Sequence, residues 1–130
     1  MQLLEFQAKE LFREYGISLL DSISSTNIEE GRKHAKQLGY PFVIKIQVPV
    51  GGRGKAGGIQ KCQNDDEFDI KYPQVMDLEI KGEKARAILL EKMADIKKEL
   101  YLSIFLNRSK RCYTIIASAD GGVEIESVKN

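Results

Sequence analysis

The chain has 130 residues, which is the length of about one ordinary domain. Its 20 basic and 19 acidic residues give a net charge of +1, and this balance argues against nucleic-acid binding, which usually needs a strong excess of basic residues. No apolar run approaches the roughly 18 residues of a membrane span, and the N-terminus does not resemble a signal peptide. Because Cys62 and Cys112 lie far apart without a CxxC pair, we expect free thiols and a cytoplasmic protein, or a mitochondrial one if the source is eukaryotic.

Two helices are predicted near the start of the chain. Residues 2–15 place a set of apolar side chains on one face of an amphipathic helix: Leu4, Ala8, Leu11, Phe12 and Tyr15. A capping box formed by Thr26 and Glu29 predicts a second helix that ends at about Leu38. We expect His34 to lie on or near the solvated side of this second helix.

The rest of the chain is dominated by extended segments. Strands are predicted at residues 41–47, 58–63, 84–91, 98–106, 111–118 and 123–128, with a short strand or an extended connector at 17–22. Asn64 and Glu67 form another capping box, whereas Pro73 is expected to interrupt any helix that follows it. We therefore predict an α/β part over residues 1–90 and an antiparallel meander over 98–128. The apolar face of such a meander needs a covering layer, so the isolated chain is expected to self-associate.

The most unusual stretch is VGGRGKAGG at residues 50–58, which contains five glycines and two cations. A Rossmann fingerprint needs a helix after the glycines, and a Walker A loop needs Ser or Thr after the lysine, so both interpretations fail. The following residues alternate like a strand, which predicts a hairpin flap over a nucleotide. Its backbone N–H groups and its two cations, Arg53 and Lys55, would face phosphate oxygens. The alternative is a mobile surface hairpin without a ligand.

Three further charged residues are candidates for contacts with the same ligand. Lys45 lies in the middle of a strand and is placed to reach phosphate oxygens, although a solvated strand face accounts for it equally well. Glu91 ends an apolar strand at the junction of the two parts, and Glu99 begins the next strand. A carboxylate there can accept hydrogen bonds from a base or a ribose. Taken singly, both glutamates also fit ordinary solvated charges.

Several longer blocks make the chain resemble a known family. The segments LLEFQAKELFREYGI, VIKIQV, GGRGKAGGI, ILLEKMADIKKELYL and ASADGGVEIE are together similar to the N-terminal part of the β subunit of succinyl-CoA synthetase. The resemblance covers nearly the whole chain and implies an ATP-grasp fold, of α/β (α+β) class. It implies a first lobe over residues 1–90, a hinge over 91–97 and the first antiparallel strands of a second, incomplete lobe over 98–130.

The resemblance also implies a function. The family joins succinate to CoA while ATP or GTP is cleaved to the diphosphate and phosphate, through a phosphohistidine on a partner α subunit that binds CoA. The nucleotide-binding positions that it implies are Lys45 and the flap residues Gly52, Arg53 and Gly54 at the phosphates, Glu91 and the backbone of Ala94 at the base, and Glu99 in the nucleoside pocket.

The resemblance leaves other points open. The ligands of the Mg²⁺ that accompanies the nucleotide are expected after Asn130, so we expect no metal ligand and no catalytic residue in this chain, and no ligase activity from the chain alone. The β chains of ATP-citrate lyase and malate–CoA ligase share these blocks, so neither the acid nor the choice of ATP or GTP is decided. A non-catalytic nucleotide-binding or interaction module is the alternative class of function.

Overall fold

The structure is a computed structural model that describes residues 2–119 and 121. The chain divides into two compact units, Met1–Ala94 and Asp95–Asn130. Within the described residues the helices are α1 (Glu5–Glu14), α2 (Ile28–Leu38) and α3 (Asp65–Met76). The strands are β1 (Ser22–Ser25), β2 (Phe42–Gln47), β3 (Ile59–Cys62), β4 (Glu79–Ile80), β5 (Glu83–Lys84), β6 (Ala87–Lys92), β7 (Tyr101–Asn107) and β8 (Cys112–Ser118). None of these helices has the length and apolar character needed to cross a membrane.

A four-stranded antiparallel sheet in the order β1-β6-β2-β3 forms the centre of the first unit. The alternation predicted for residues 41–47 is confirmed, because Phe42, Ile44 and Ile46 are fully buried. Strand β6 pairs with both β1 and β2, which explains why its first four residues, AILL, are all apolar. The core consists of Ala35, Phe42, Ile44, Ile46, Val48, Cys62, Phe68, Tyr72, Val75, Ile80, Ile88 and Leu90.

Helix α2 confirms the predicted second helix but begins one residue later than its expected capping box. The side chain of Asn27 accepts a hydrogen bond from the Glu30 backbone N–H at 2.9 Å, and Glu30 in turn accepts from the Thr26 N–H at 3.1 Å. The box therefore involves Glu30 and not Glu29, since Asn27 is an equally good N-cap and takes this role in place of Thr26. His34 is half-buried rather than solvated, because it borders the buried face of the helix at Ala35.

Helix α3 shows that the expectation for Pro73 was wrong. The Asn64–Glu67 cap is confirmed at 2.9 Å, and the helix continues through Pro73 to Met76. Proline in a helix removes one backbone hydrogen bond and strains the preceding turn. Here the buried side chains of α3, which are Phe68, Tyr72 and Val75, offset that cost by packing on the sheet.

Strand β1 lies at the end of the segment for which the sequence predicted a strand or a connector. Of residues 17–22, only Ser22 is in the strand, and the pairing continues to Ser25, which lies opposite Ile88. Its SISS sequence has no apolar alternation, because β1 is an edge strand that one neighbour, β6, holds through backbone hydrogen bonds. A pattern based on hydrophobicity therefore could not locate it.

The described part of the second unit contains the β7–β8 hairpin, which confirms two of the three predicted meander strands. The third, at residues 123–128, lies outside the described residues. Paired residues of the hairpin share a face. One face carries a continuous set of apolar side chains that are more than half exposed: Leu102, Ile104, Leu106, Tyr113 and Ile115.

Replacing Tyr72 with Phe tests the contact that joins α3 to the segment before α2. The Tyr72 hydroxyl donates to the Asn27 carbonyl at 2.9 Å and shares a hydrogen bond with the Ser25 hydroxyl at 2.9 Å. Ser25 is only 2% exposed, so its hydroxyl cannot turn to water, and we expect Tyr72→Phe to lower the free energy of unfolding by about 1–3 kcal/mol. Urea unfolding followed by circular dichroism measures this difference.

The matched control is Tyr15→Phe, which deletes the same atom from a side chain that is 83% exposed. It should change the free energy of unfolding by less than about 0.5 kcal/mol. Equal effects of the two substitutions would contradict a specific role for the Tyr72 hydroxyl.

Candidate functional site

The glycine-rich segment forms the loop of the predicted hairpin. Strands β2 and β3 pair antiparallel, with Lys45 opposite Ile59, and the Ile46 N–H donates to the Gly58 carbonyl at 2.7 Å. The strand–loop–strand arrangement is therefore confirmed. The loop is also folded on itself, because Ala56, Gly57 and Gly58 donate backbone hydrogen bonds to Gly52, Gly54 and Arg53 at 3.2, 3.1 and 2.8 Å. In this conformation those three amides serve the loop and do not face a ligand.

Two glycines of the loop are required by its geometry. Gly52 has a φ of +88°, a backbone conformation that L side chains rarely adopt. Gly58 is buried, and a Cβ there would overlap Ile46 Cγ2 and lie 3.1 Å from Ile80 Cδ1. These positions explain part of the glycine content by local packing, independently of any ligand.

Lys45 is the centre of a group of five charged side chains. Its Nζ donates to Glu5 Oε1 at 3.1 Å and to Glu91 Oε1. The second oxygen of Glu5 lies 2.8 Å from Arg53 Nη1, and the second oxygen of Glu91 pairs with Lys9. We call Glu5, Lys9, Lys45, Arg53 and Glu91 the charge cluster. With three cations and two carboxylates, it has a net charge of +1.

The charge cluster is largely withdrawn from water, and the pKa values of two of its members, Glu5 and Lys45, are shifted by their charged neighbours. The Lys45 and Glu5 side chains are 19% and 21% exposed, and that of Glu91 is 7% exposed. Burial alone would raise the pKa of Glu5, but the positive charges of Lys45 and Arg53 outweigh it and hold this pKa below its ordinary value. Burial alone would lower the pKa of Lys45, but its hydrogen bond to Glu91 and the charges of both carboxylates raise it.

The structure brings three of the residues predicted from sequence together. Lys45, Arg53 and Glu91 all belong to the charge cluster, and Glu91 is 5% exposed, so the alternative that it is an ordinary solvated charge is wrong. The flap residues Gly52 and Gly54 are exposed.

The two remaining predicted positions lie further along the chain. Ala94 is exposed at the end of the first unit. Glu99 is exposed in the second unit, where its carbonyl accepts a hydrogen bond from the Gly121 N–H at 3.1 Å. Their places in a nucleoside pocket stay predictions.

Sequence reasoning did not identify Glu5 and Lys9, which join the charge cluster from α1. These residues are four apart and therefore lie on one polar face of the helix. The apolar stripe of α1 includes Leu11, Phe12 and Tyr15, which are 42%, 46% and 83% exposed. Glu5 and Lys9 nevertheless contact charged residues of the sheet, and their i, i+4 spacing was the available indication.

The chemistry of the charge cluster suits an anion rather than a metal ion. Among residues 2–119 and 121, no group of three or more His, Cys, Asp or Glu side chains is arranged to hold a metal. Lys45 and Arg53 instead place an ammonium and a guanidinium at the base of a glycine-rich loop, which are the groups that recognise phosphate oxygens.

Comparison with known proteins identifies the class to which this arrangement belongs. The family model described as "ATP-grasp domain" matches residues 2–130, and the chain belongs to this family. The predicted fold is thereby confirmed. Among solved structures, the protein PH1788 from Pyrococcus horikoshii Ot3 superposes with a TM-score of 0.82 at 20% identity, over 98% of this chain and 55% of that one. A dinucleotide-forming acetyl-coenzyme A synthetase 1 from Ca. Korarchaeum cryptofilum gives a TM-score of 0.76 at 21% identity, over 89% and 52%.

Curated relatives have a higher sequence identity to this chain than these solved structures do. The chain is 41% identical over 128 residues to succinate–CoA ligase [ADP-forming] subunit beta from Rubrobacter xylanophilus, and equally to the protein of the same name from Ignicoccus hospitalis. Both alignments cover 98% of this chain, but only 33% and 34% of the relatives. The chain therefore spans about a third of the length of these relatives.

Acid titration tests the ion pairs of Glu5. Because its pKa is lowered in the folded state, Glu5 stabilises the fold above its ordinary pKa of 4.5 and loses this contribution as the pH falls through the lowered value. The unfolding free energy of the wild type should therefore fall on acidification below about pH 5. In Glu5→Gln this fall should be smaller. Urea unfolding at a series of pH values between about 6 and 3 measures both profiles.

Glu10→Gln is the control for this titration, because Glu10 is an exposed residue of the same helix and the change in charge is the same. Its pH profile should match that of the wild type. If the three profiles coincide, Glu5 has no ion pairs of importance for stability.

Proposed function

We propose that this chain is the nucleotide-phosphate-binding part of the β subunit of an NDP-forming succinate–CoA ligase. The observation that carries the proposal is the placement of Lys45 and Arg53, in one cluster, at the base of the glycine-rich hairpin. Its ATP-grasp family and its relatives named succinate–CoA ligase [ADP-forming] subunit beta support it. In the proposed reaction, succinate, CoA and a nucleoside triphosphate yield succinyl-CoA, the diphosphate and phosphate.

The proposed role of the cluster cations is electrostatic. Lys45 and Arg53 would neutralise the charge of the β- and γ-phosphates while the phosphoryl group is transferred. Gly52 and Gly54, which have no side chains and are exposed, would let the loop backbone approach the phosphates. Glu91 would hold the Lys45 ammonium in position through its ion pair, in addition to its predicted place near the base.

The remaining parts of the site are proposed from the relatives. The ADP-forming activity in the names of these relatives favours ATP over GTP as the substrate. Ala94 and Glu99 would contact the base and ribose, and Mg²⁺ would reach the site with the nucleotide. An α subunit that binds CoA and carries the phosphohistidine would complete the enzyme.

Lys45→Ala tests the phosphate contact. We expect the ¹⁵N-labelled chain to show shifts in its amide NMR signals on titration with MgADP or MgATP, concentrated in β2 and in residues 51–58. Loss of one charged hydrogen bond to phosphate costs about 1.5–3 kcal/mol, so Lys45→Ala should raise the Kd about 10- to 100-fold. The control Lys61→Ala removes an exposed lysine from the neighbouring strand and should leave the Kd unchanged.

The outcomes of this titration separate the proposals. An unchanged Kd in Lys45→Ala would show that Lys45 does not contact the nucleotide. Shifts confined to other parts of the chain would show that the hairpin is not the phosphate site. If Lys45→Ala and Lys61→Ala raised the Kd equally, the loss of affinity would be due to the overall charge of the chain and not to a contact of Lys45.

We also propose that the exposed apolar face of the β7–β8 hairpin causes the isolated chain to self-associate. Its residues, among them the directly paired Ile104 and Ile115, are 63% and 64% exposed. Light scattering after size exclusion should detect a dimer or a larger species at micromolar concentration. Ile104→Lys should shift it towards the monomer, whereas the control Ile70→Lys, at a 60% exposed position of α3, should not. A monomeric wild type would contradict the proposal.

A further inference from the structure

Glu5, in the first turn of α1, forms ion pairs with the two cations to which the proposed function assigns phosphate binding. Glu5 lies between Lys45 and Arg53 and contacts one cation with each carboxylate oxygen, at 3.1 and 2.8 Å. A carboxylate held by an ammonium and a guanidinium has the charge and the hydrogen-bonding pattern that a phosphate group would need in the same place. Glu5 is thus positioned as an internal anion at the phosphate site.

The Glu5 contact depends on one polar side chain at the start of α1. No residue of α1 itself is fully buried, and Leu11 and Phe12 of its apolar stripe are exposed, whereas Leu4, just before the helix, is only 7% exposed. The polar contacts between the helix and the sheet are the ion pairs of Glu5 and Lys9, the Phe6 N–H donating to Gln47 Oε1 at 3.2 Å, and Arg13 Nη2 donating to Ser22 Oγ at 2.9 Å. A movement of the Glu5 side chain alone would exchange one anion for another at Lys45 and Arg53 and would not require the buried Leu4 to leave its place.

The charge balance shows why the two anions compete. With Glu5 in place the charge cluster has a net charge of +1, and without it the net charge is +2. The groups that face Glu5 are Lys45 from β2 and Arg53 from the loop, while Glu91 from β6 pairs both with Lys9 from α1 and with Lys45. A phosphate placed within about 4 Å of the Glu5 carboxylate would be repelled by it, and this repulsion is strong where water is partly excluded.

We propose that Glu5 is an intramolecular competitor of the nucleotide phosphates, and that its displacement from Lys45 and Arg53 sets the affinity of the site. The inference rests on the proposed function and concerns the regulation of the same site. Nucleotide binding releases the Glu5 carboxylate from these cations, and an event that draws Glu5 away from them strengthens nucleotide binding by the same factor, because the coupling of two binding events is reciprocal.

The test compares Glu5→Gln with Glu10→Gln by NMR titration of the full 130-residue chain. The probes are MgADP and inorganic tripolyphosphate, which carries the phosphate charge without base or ribose. Glutamine keeps the size of the side chain and removes its charge, so Glu5→Gln should bind both probes about tenfold more tightly than the wild type. Glu10→Gln makes the same change in net charge at an exposed position of α1 and should bind like the wild type.

A second measurement uses the wild type and so does not depend on the folding of a variant. The ¹³C shift of the Glu5 carboxyl group is followed against pH, with and without saturating tripolyphosphate. Displacement from Lys45 and Arg53 should raise the pKa of Glu5 when the probe is bound, since these two cations are what hold it low. A residue with a purely structural role would titrate at the same pH in both samples.

The outcomes distinguish this inference from the proposed function. If the wild type binds both probes and Glu5→Gln binds them equally or more weakly, with an unchanged Glu5 titration, the competition is disproved and the nucleotide site remains. If neither the wild type nor Glu5→Gln binds either probe, the nucleotide site and the competition fail together. Equal tightening by Glu5→Gln and Glu10→Gln would disprove a local contact, because overall charge would account for it.

Discussion

The ion pairs of Lys45 connect three segments that are distant in the chain. Lys45 is on β2, Glu5 is on α1 and Glu91 is on β6, so the contacts span 40 and 46 positions. A half-buried lysine needs such partners, because a charge that leaves water without compensation is costly. The antiparallel order β1-β6-β2-β3 provides one partner from the adjacent strand, and α1 provides the other. The position of the helix and the charge of the candidate phosphate site are therefore linked.

The two faces of the sheet in the first unit differ in the interactions that stabilise them. The face of the sheet that carries Ile44 and Ile46 is held by apolar burial against α2 and α3, which depends little on pH or salt. The face that carries Lys45 buries Leu89 and Ala87 as well, but it also contains the charge cluster, whose ion pairs respond to pH, to salt and to any anion that reaches them. A ligand-binding surface on the second face can therefore change its partners while the core on the first face stays intact.

Particular residues show how far sequence reasoning reached. Strand alternation identified β2 and the burial of Phe42, and the apolar run identified β6, because period-two patterning is local information. Pro73 misled the prediction, since a local rule about proline takes no account of the core contacts of Tyr72. The edge strand β1 was displaced from its expected position, because its SISS sequence carries no pattern and its pairing with β6 alone defines it.

Some features of the candidate site could likewise be predicted from the sequence, and others could not. The sequence by itself determined that Lys45 and Arg53 flank a hairpin loop rich in glycine, and its resemblance to a family connected them with nucleotide phosphates. Only the tertiary structure decided what these cations contact. Glu5 and Lys9 look like the solvated face of an amphipathic helix, and Glu91 looks like the exposed end of a strand. Their burial together follows from how α1 lies on the sheet, and an ion pair between residues 40 positions apart leaves no periodic trace in the sequence.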